Sequence, residues 1–135
     1  MSGIDLIGMG VAIVTPFKED KTIDFEALEK LIEYLVGNGC DYLVVLGTTA
    51  ETPTLSKEER TIVKNFVRDR VNGRIPLVVG YGGNNTMSLI DDITSADLEG
   101  FSAILSVVPY YNKPTQEGQY QYFKAVAEST DKPIV

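Results

Sequence analysis

Two short segments carry side chains able to bind an anion and to move a proton. In Gly47-Thr48-Thr49-Ala50-Glu51, a glycine follows the apolar run Tyr42-Leu43-Val44-Val45-Leu46. A glycine there lets the backbone turn sharply off a strand end. Two hydroxyls and successive free N–H groups then point outward, and a helix begins at Ser56, a combination that suits a small carboxylate. The competing reading is a polar loop whose threonines bond only their own backbone. In Pro109-Tyr110-Tyr111-Asn112-Lys113-Pro114, two adjacent tyrosines lie in a loop stiffened by proline at either end. A phenol can donate, accept and relay a proton. The competing reading is that both rings pack at an interface, which aromatic residues favour.

Other residue types narrow the chemistry. There is no histidine, so the commonest general base and metal ligand are absent from this stretch. The carboxylates lie mostly on helices without metal-ligand spacing, and neither a metal nor a cofactor is expected. Lys113 is the lysine nearest the tyrosines, but a nucleophilic amine needs a desolvated pocket and this one sits in an exposed loop. Cys40 is the single cysteine, so no internal disulfide forms; at a strand start it reads as a small buried residue.

The elements that must hold these segments recur in order. Val11-Ala12-Ile13-Val14 is a buried strand ended by Thr15-Pro16. Asp24 caps a helix with the apolar stripe Leu28, Leu31, Ile32 and Leu35, closed by Gly37-Asn38-Gly39. The second strand is Tyr42 to Leu46. Ser56 and Glu59 form a capping box opening a helix with Ile62, Val63, Phe66 and Val67 inward, closed by Asn72-Gly73. Pro76 to Val79 is the third strand. The glycines at 80, 82 and 83 that follow lack the G-x-G-x-x-G spacing and read as a tight turn. Thr86 begins a third helix with Leu89, Ile90 and Ile93, ended by Gly100. Ala103 to Val108 is the fourth strand, and Thr115 starts a fourth helix with Tyr120, Phe123 and Ala127 inward. Pro133-Ile134-Val135 begins a fifth strand.

Strands spaced about 30 residues apart are βα units. Continuous apolar runs without alternation mark parallel strands covered on both faces. An open doubly wound sheet and part of an eightfold barrel both fit. The loops after the strands are long and carry Thr, Tyr, Asn, Gly and Pro, whereas those before them are short and plain. That asymmetry favours a TIM (β/α)8 barrel, whose chemistry sits at the strand C-termini. Residues 1–135 then form its N-terminal half, four βα units and the start of strand 5, with the C-terminal half absent from this chain.

Composition excludes several function classes. With 44% hydrophobic and 23% charged residues the chain is an ordinary globular one. A net charge of −7 argues against nucleic acid, which wants a basic surface. Arg60, Lys64, Arg68, Arg70 and Arg74 group loosely and read as the solvated face of a helix. No apolar run approaches the ~20 residues of a membrane span, and no signal peptide is visible. A cytoplasmic protein fits.

Three stretches together carry a resemblance. Val11 to Phe17 (VAIVTPF), Leu46 to Glu51 (LGTTAE) and Val108 to Gly118 (VPYYNKPTQEG) resemble the dihydrodipicolinate synthase family of pyruvate-dependent class I aldolases, in order and at family spacing. One departure is Ala50, where many members have glycine. The resemblance implies condensation of pyruvate with aspartate semialdehyde through a lysine Schiff base, on the route to lysine and diaminopimelate. It implies that Thr49 holds the pyruvate carboxylate. It further implies that Thr48 links two tyrosines in a proton relay, one of them Tyr111 reaching into the neighbouring subunit's site. Tyr110 would pack at the tight interface of a homo-oligomer built as a dimer of dimers. The family's Schiff-base lysine, second relay tyrosine and substrate-binding arginine would lie beyond Val135, leaving this segment alone inactive. Some members bind lysine as a feedback inhibitor; Asn84 and Tyr110 match that site, but Ser88 stands where an acidic residue is expected. A neuraminate lyase or sugar-acid aldolase on the same scaffold, and a non-catalytic half-barrel assembly module, are the alternative readings.

Overall fold

The computed structural model describes residues 6–135. Four strands form one parallel sheet in chain order: β1 (Gly10–Ala12), β2 (Tyr42–Val45), β3 (Leu77–Gly80) and β4 (Ala103–Leu105). Helices α1 (Phe25–Gly37), α2 (Lys57–Val71), α3 (Thr86–Thr94) and α4 (Gln116–Glu128) alternate with them. Sequential order with parallel pairing throughout is that of a barrel rather than a doubly wound sheet, whose strand order reverses. The expected fifth strand begins: Val135 N–H donates to Ile104 O at 2.8 Å and Ser106 N–H to Val135 O at 3.0 Å.

Local signals set the helix starts. The Asp24 carboxylate accepts from Ala27 N–H at 2.9 Å, and the Asn85 amide oxygen from Ser88 N–H at 3.1 Å. Ser56 and Glu59 close the reciprocal capping box, with bonds of 3.1 and 2.8 Å. Leu28, Ile32, Val67 and Val71 are fully buried against Leu43, Val45 and Val79 of the sheet, and Cys40 is a buried free thiol. At about 25 cal/mol per Å², burial of such side chains is the main stabilising term.

On α2, Ile62 is exposed, while Lys64 is buried and its Nζ donates to the Asp97 carbonyl at 2.5 Å. The stripe lies one residue on from the expected one because α2 also faces the turn after α3. Helix α3 stops at Thr94, well before Gly100. The Thr94 hydroxyl bonds the Ile90 carbonyl and the Ser95 hydroxyl that of Asp91, taking acceptors from the last turn. On α4, Tyr120 and Ala127 point outward, and Tyr122 and Val126 are the buried pair. The Tyr122 hydroxyl sits 3.4 Å from Ser106 Oγ, which turns that ring inward. The glycines at 80, 82 and 83 do not form a tight turn, and Gly80 is the last residue of β3. A Cβ at Gly80 would collide with the Leu46 carbonyl oxygen, so this position is set by close approach of two strand ends.

Ion pairs join the helices outside the sheet. Arg74 grips Glu33 through two bonds of 2.6 and 2.8 Å, Arg70 meets Glu29 at 3.3 Å, Arg68 meets Asp97 at 2.7 Å, and Lys57 meets Asp92 at 2.6 Å. The basic group on α2 is therefore largely an inter-helix seam rather than a solvated face.

Candidate active site

The Thr48–Thr49 segment leaves β2 through an unusual backbone path. Leu46, not Gly47, takes the left-handed conformation, at φ 57°. Gly47 is extended at φ −72° and ψ −176°, a conformation open to any residue. The sharp turn was expected at the glycine; it falls on the leucine because the buried Leu46 side chain is anchored in the core. A 3-10 turn then spans Thr48–Ala50, and Glu51 is again left-handed at φ 56°. Two strained non-glycine residues thus bracket the loop, which persists because the surroundings over-determine it.

The threonines divide into two classes. Thr52 Oγ1 donates to the Gly47 carbonyl at 2.9 Å and Thr54 Oγ1 to that of Glu51 at 2.8 Å, so both serve the backbone. Thr48 and Thr49 are exposed, and their hydroxyls have no hydrogen-bond partner among the described residues. Their N–H groups open a helical turn and so have no acceptor within it. The self-bonded reading of Thr48 and Thr49 therefore does not describe their side chains, whose hydroxyls stay unbonded while those of Thr52 and Thr54 serve the backbone.

The tyrosine loop is strained as well. Asn112 N–H donates to the Tyr110 carbonyl at 3.0 Å with Tyr111 at φ 70°, a γ-turn of the rare positive-φ kind. Tyr111 stands at its apex, 93% exposed, and Tyr110 is half-exposed. The Asn84 side-chain oxygen accepts from Tyr110 N–H at 2.7 Å, tying the loop after β4 to that after β3. Lys113 is exposed, as expected.

A cavity of about 430 Å³ opens between these loops and runs down between α2 and α3. Thr48 and Tyr110 both line it; Thr49 and Tyr111 do not. The chain therefore brings Thr48 and Tyr110 to one cavity, with Asn84 bonded to the Tyr110 backbone, and leaves the exposed Tyr111 outside its lining. Lys64 and Tyr81 were missed as polar residues of this cavity. Burial holds the Lys64 amine below its ordinary value, against the opposing pull of Asp97, and raises the Tyr81 phenol. A lysine on the seam between two helices had no sequence signal beyond its neighbours' charge. No group of three or more metal-binding side chains occurs among the described residues.

Comparison with known proteins bears on this arrangement. Residues 5–135 match the Dihydrodipicolinate synthetase family. The 4-hydroxy-tetrahydrodipicolinate synthase of Parabacteroides distasonis is 60% identical over the whole chain, which covers 46% of that protein. Among solved structures, the chloride-inhibited dihydrodipicolinate synthase of Acinetobacter baumannii complexed with pyruvate superposes with a TM-score of 0.89 at 46% identity, over 94% of this chain and 44% of that one. The lysine-bound enzyme of Cyanidioschyzon merolae gives 0.85 at 35% identity, over 94% and 44%. The chain spans less than half the length of the relatives it matches, and its four βα units correspond to half of their barrel. Sequence and fold agree over essentially the whole chain: it belongs to the dihydrodipicolinate synthetase family.

Proposed function

We propose that this chain supplies the N-terminal half of a 4-hydroxy-tetrahydrodipicolinate synthase, condensing pyruvate with aspartate semialdehyde through a lysine Schiff base in lysine and diaminopimelate biosynthesis. The observation that carries this reading is the pair of unbonded hydroxyls on Thr48 and Thr49 at the C-terminal end of β2, beside threonines that are internally bonded. Thr49, with its N–H, takes the pyruvate carboxylate. Preorganised donors in a fixed turn hold that anion without reorganising as the reaction proceeds. Thr48 passes protons between phenols.

Tyr111 supplies one phenol to the neighbouring subunit. Its 93% exposure at the apex of the turn supports a role across an interface. Tyr110 packs at that interface in a dimer of dimers, in the cytoplasm. The Schiff-base lysine belongs to the half of the barrel that this chain does not span, so the segment by itself does not turn over. Asn84 and Tyr110, bonded to each other, border an effector site near the same interface. Ser88, in place of an acid, weakens a cationic effector there.

The complete barrel, assayed with pyruvate and aspartate semialdehyde, should turn over and should trap one pyruvate per subunit with borohydride. Turnover with a sugar aldehyde in place of aspartate semialdehyde would reassign it to the lyase branch.

A further inference from the structure

We propose that the buried hydroxyl of Thr15 is a positioning group for the loop that binds the pyruvate carboxylate; this rests on the reading of Thr49 given above. Thr15 follows β1 and touches no substrate in that reading. It is 4% exposed, and its Oγ1 donates to the carbonyl of Ala50 at 2.8 Å. Ala50 closes the 3-10 turn that carries Thr48 and Thr49, and the carbonyls at the end of such a turn have no partner within it. Thr15 supplies the donor that this buried carbonyl needs.

The bond acts at the one peptide whose orientation sets the loop. The next residue, Glu51, is left-handed, and a non-glycine residue holds that conformation only under constraint. The constraint comes from three sides. Thr15 fixes the Ala50 carbonyl, Thr52 Oγ1 fixes the Gly47 carbonyl, and the Leu46 carbonyl packs where Gly80 has no side chain. Thr15 is itself aimed by its neighbours. The residue before a proline is confined to extended backbone, and the Pro16 carbonyl accepts from Asp24 N–H at 2.9 Å. The donor therefore arrives from a rigid, buried segment and holds the end of the turn whose two threonines are exposed.

Losing this bond should misplace the donors to the carboxylate and leave the aldehyde half of the site alone. The test is steady-state kinetics on the complete barrel with Thr15→Val, Thr15→Ser and Thr49→Val. Thr15→Val should raise KM for pyruvate about five- to tenfold, the worth of one hydrogen bond. KM for aspartate semialdehyde should stay within about twofold, and Thr15→Ser, which keeps the donor, should restore the pyruvate value. Should the valine variant fail to fold, Thr15→Cys, with only a weak S–H donor, should show the same split in smaller measure. If Thr49→Val raises KM for pyruvate but Thr15→Val lowers only the melting temperature, Thr15 is structural and the inference is overturned. If serine and valine behave alike, the hydroxyl is not the agent. If Thr49→Val itself leaves pyruvate affinity unchanged, the carboxylate site is misassigned and this inference falls with it.

Discussion

Tyr111 combines strain with exposure. A phenol at the apex of a positive-φ γ-turn is held stiffly, with its hydroxyl free to act elsewhere. In the complete barrel, Tyr111→Phe should depress turnover by ~10²–10⁴-fold, the usual range for a lost acid–base group, and leave KM for pyruvate nearly unchanged. Thr49→Val should differ by raising KM for pyruvate as well as lowering turnover, because it removes a ground-state contact. Mixing a Tyr111→Phe enzyme with one disabled at the Schiff-base lysine should restore activity once subunits exchange. Normal turnover in Tyr111→Phe would remove the residue from the mechanism, and no recovery despite exchange seen by mass spectrometry would place it in its own subunit's site.

At the scale of elements, α2 carries both a strong start and a costly interior. Ser56→Ala breaks the capping box and should lower stability by about 1 kcal/mol, read from denaturant melts. Lys64 is the costly member. Burial depresses its pKa below 10.5 in the folded protein, so the unfolded chain binds that proton more tightly. Stability from this group therefore rises with pH between the depressed value and 10.5, and the penalty is full below the depressed value. Lys64→Met, of similar length, should melt no lower than the parent at neutral pH, and the parent should gain on it as pH climbs toward 10.5. A large loss of melting temperature at neutral pH would show that the bond to the Asp97 carbonyl outweighs desolvation.

On the scale of the whole molecule, the sheet is covered unequally. Along β2, Leu43 and Val45 are buried under the helices, whereas Tyr42 and Val44 on the other face are only half-covered. Val14, Val107 and Val108 at the strand ends are partly exposed too. Residues 1–135 expressed alone should therefore self-associate or aggregate, since open strand edges and uncovered apolar faces recruit other chains. A compact monomer that melts cooperatively at high concentration on size exclusion would refute this. The same chain treated with pyruvate and borohydride should gain no mass. A stoichiometric adduct, on Lys64 for example, would overturn the placement of the nucleophile beyond residue 135.

The sequence by itself determined the order and type of the elements. Apolar runs, caps at Asp24 and Ser56, and stop signals at Gly39 and Gly73 are local, and each was legible as such. It also carried the Thr48–Thr49 and Tyr110–Tyr111 segments, because their residue types and neighbours are contiguous. Only tertiary structure decided what depends on a second element. The outward face of Tyr120 follows from Tyr122 meeting Ser106, the residue after β4. The burial of Lys64 follows from the turn after α3, and the left-handed Leu46 from its anchorage in the core beside a glycine on β3. The division of the threonines into bonded and unbonded, and the Thr15 bond that spans two strands, lie in the same class. Local propensity reads one element at a time, and these choices are fixed by contacts between residues far apart in the chain.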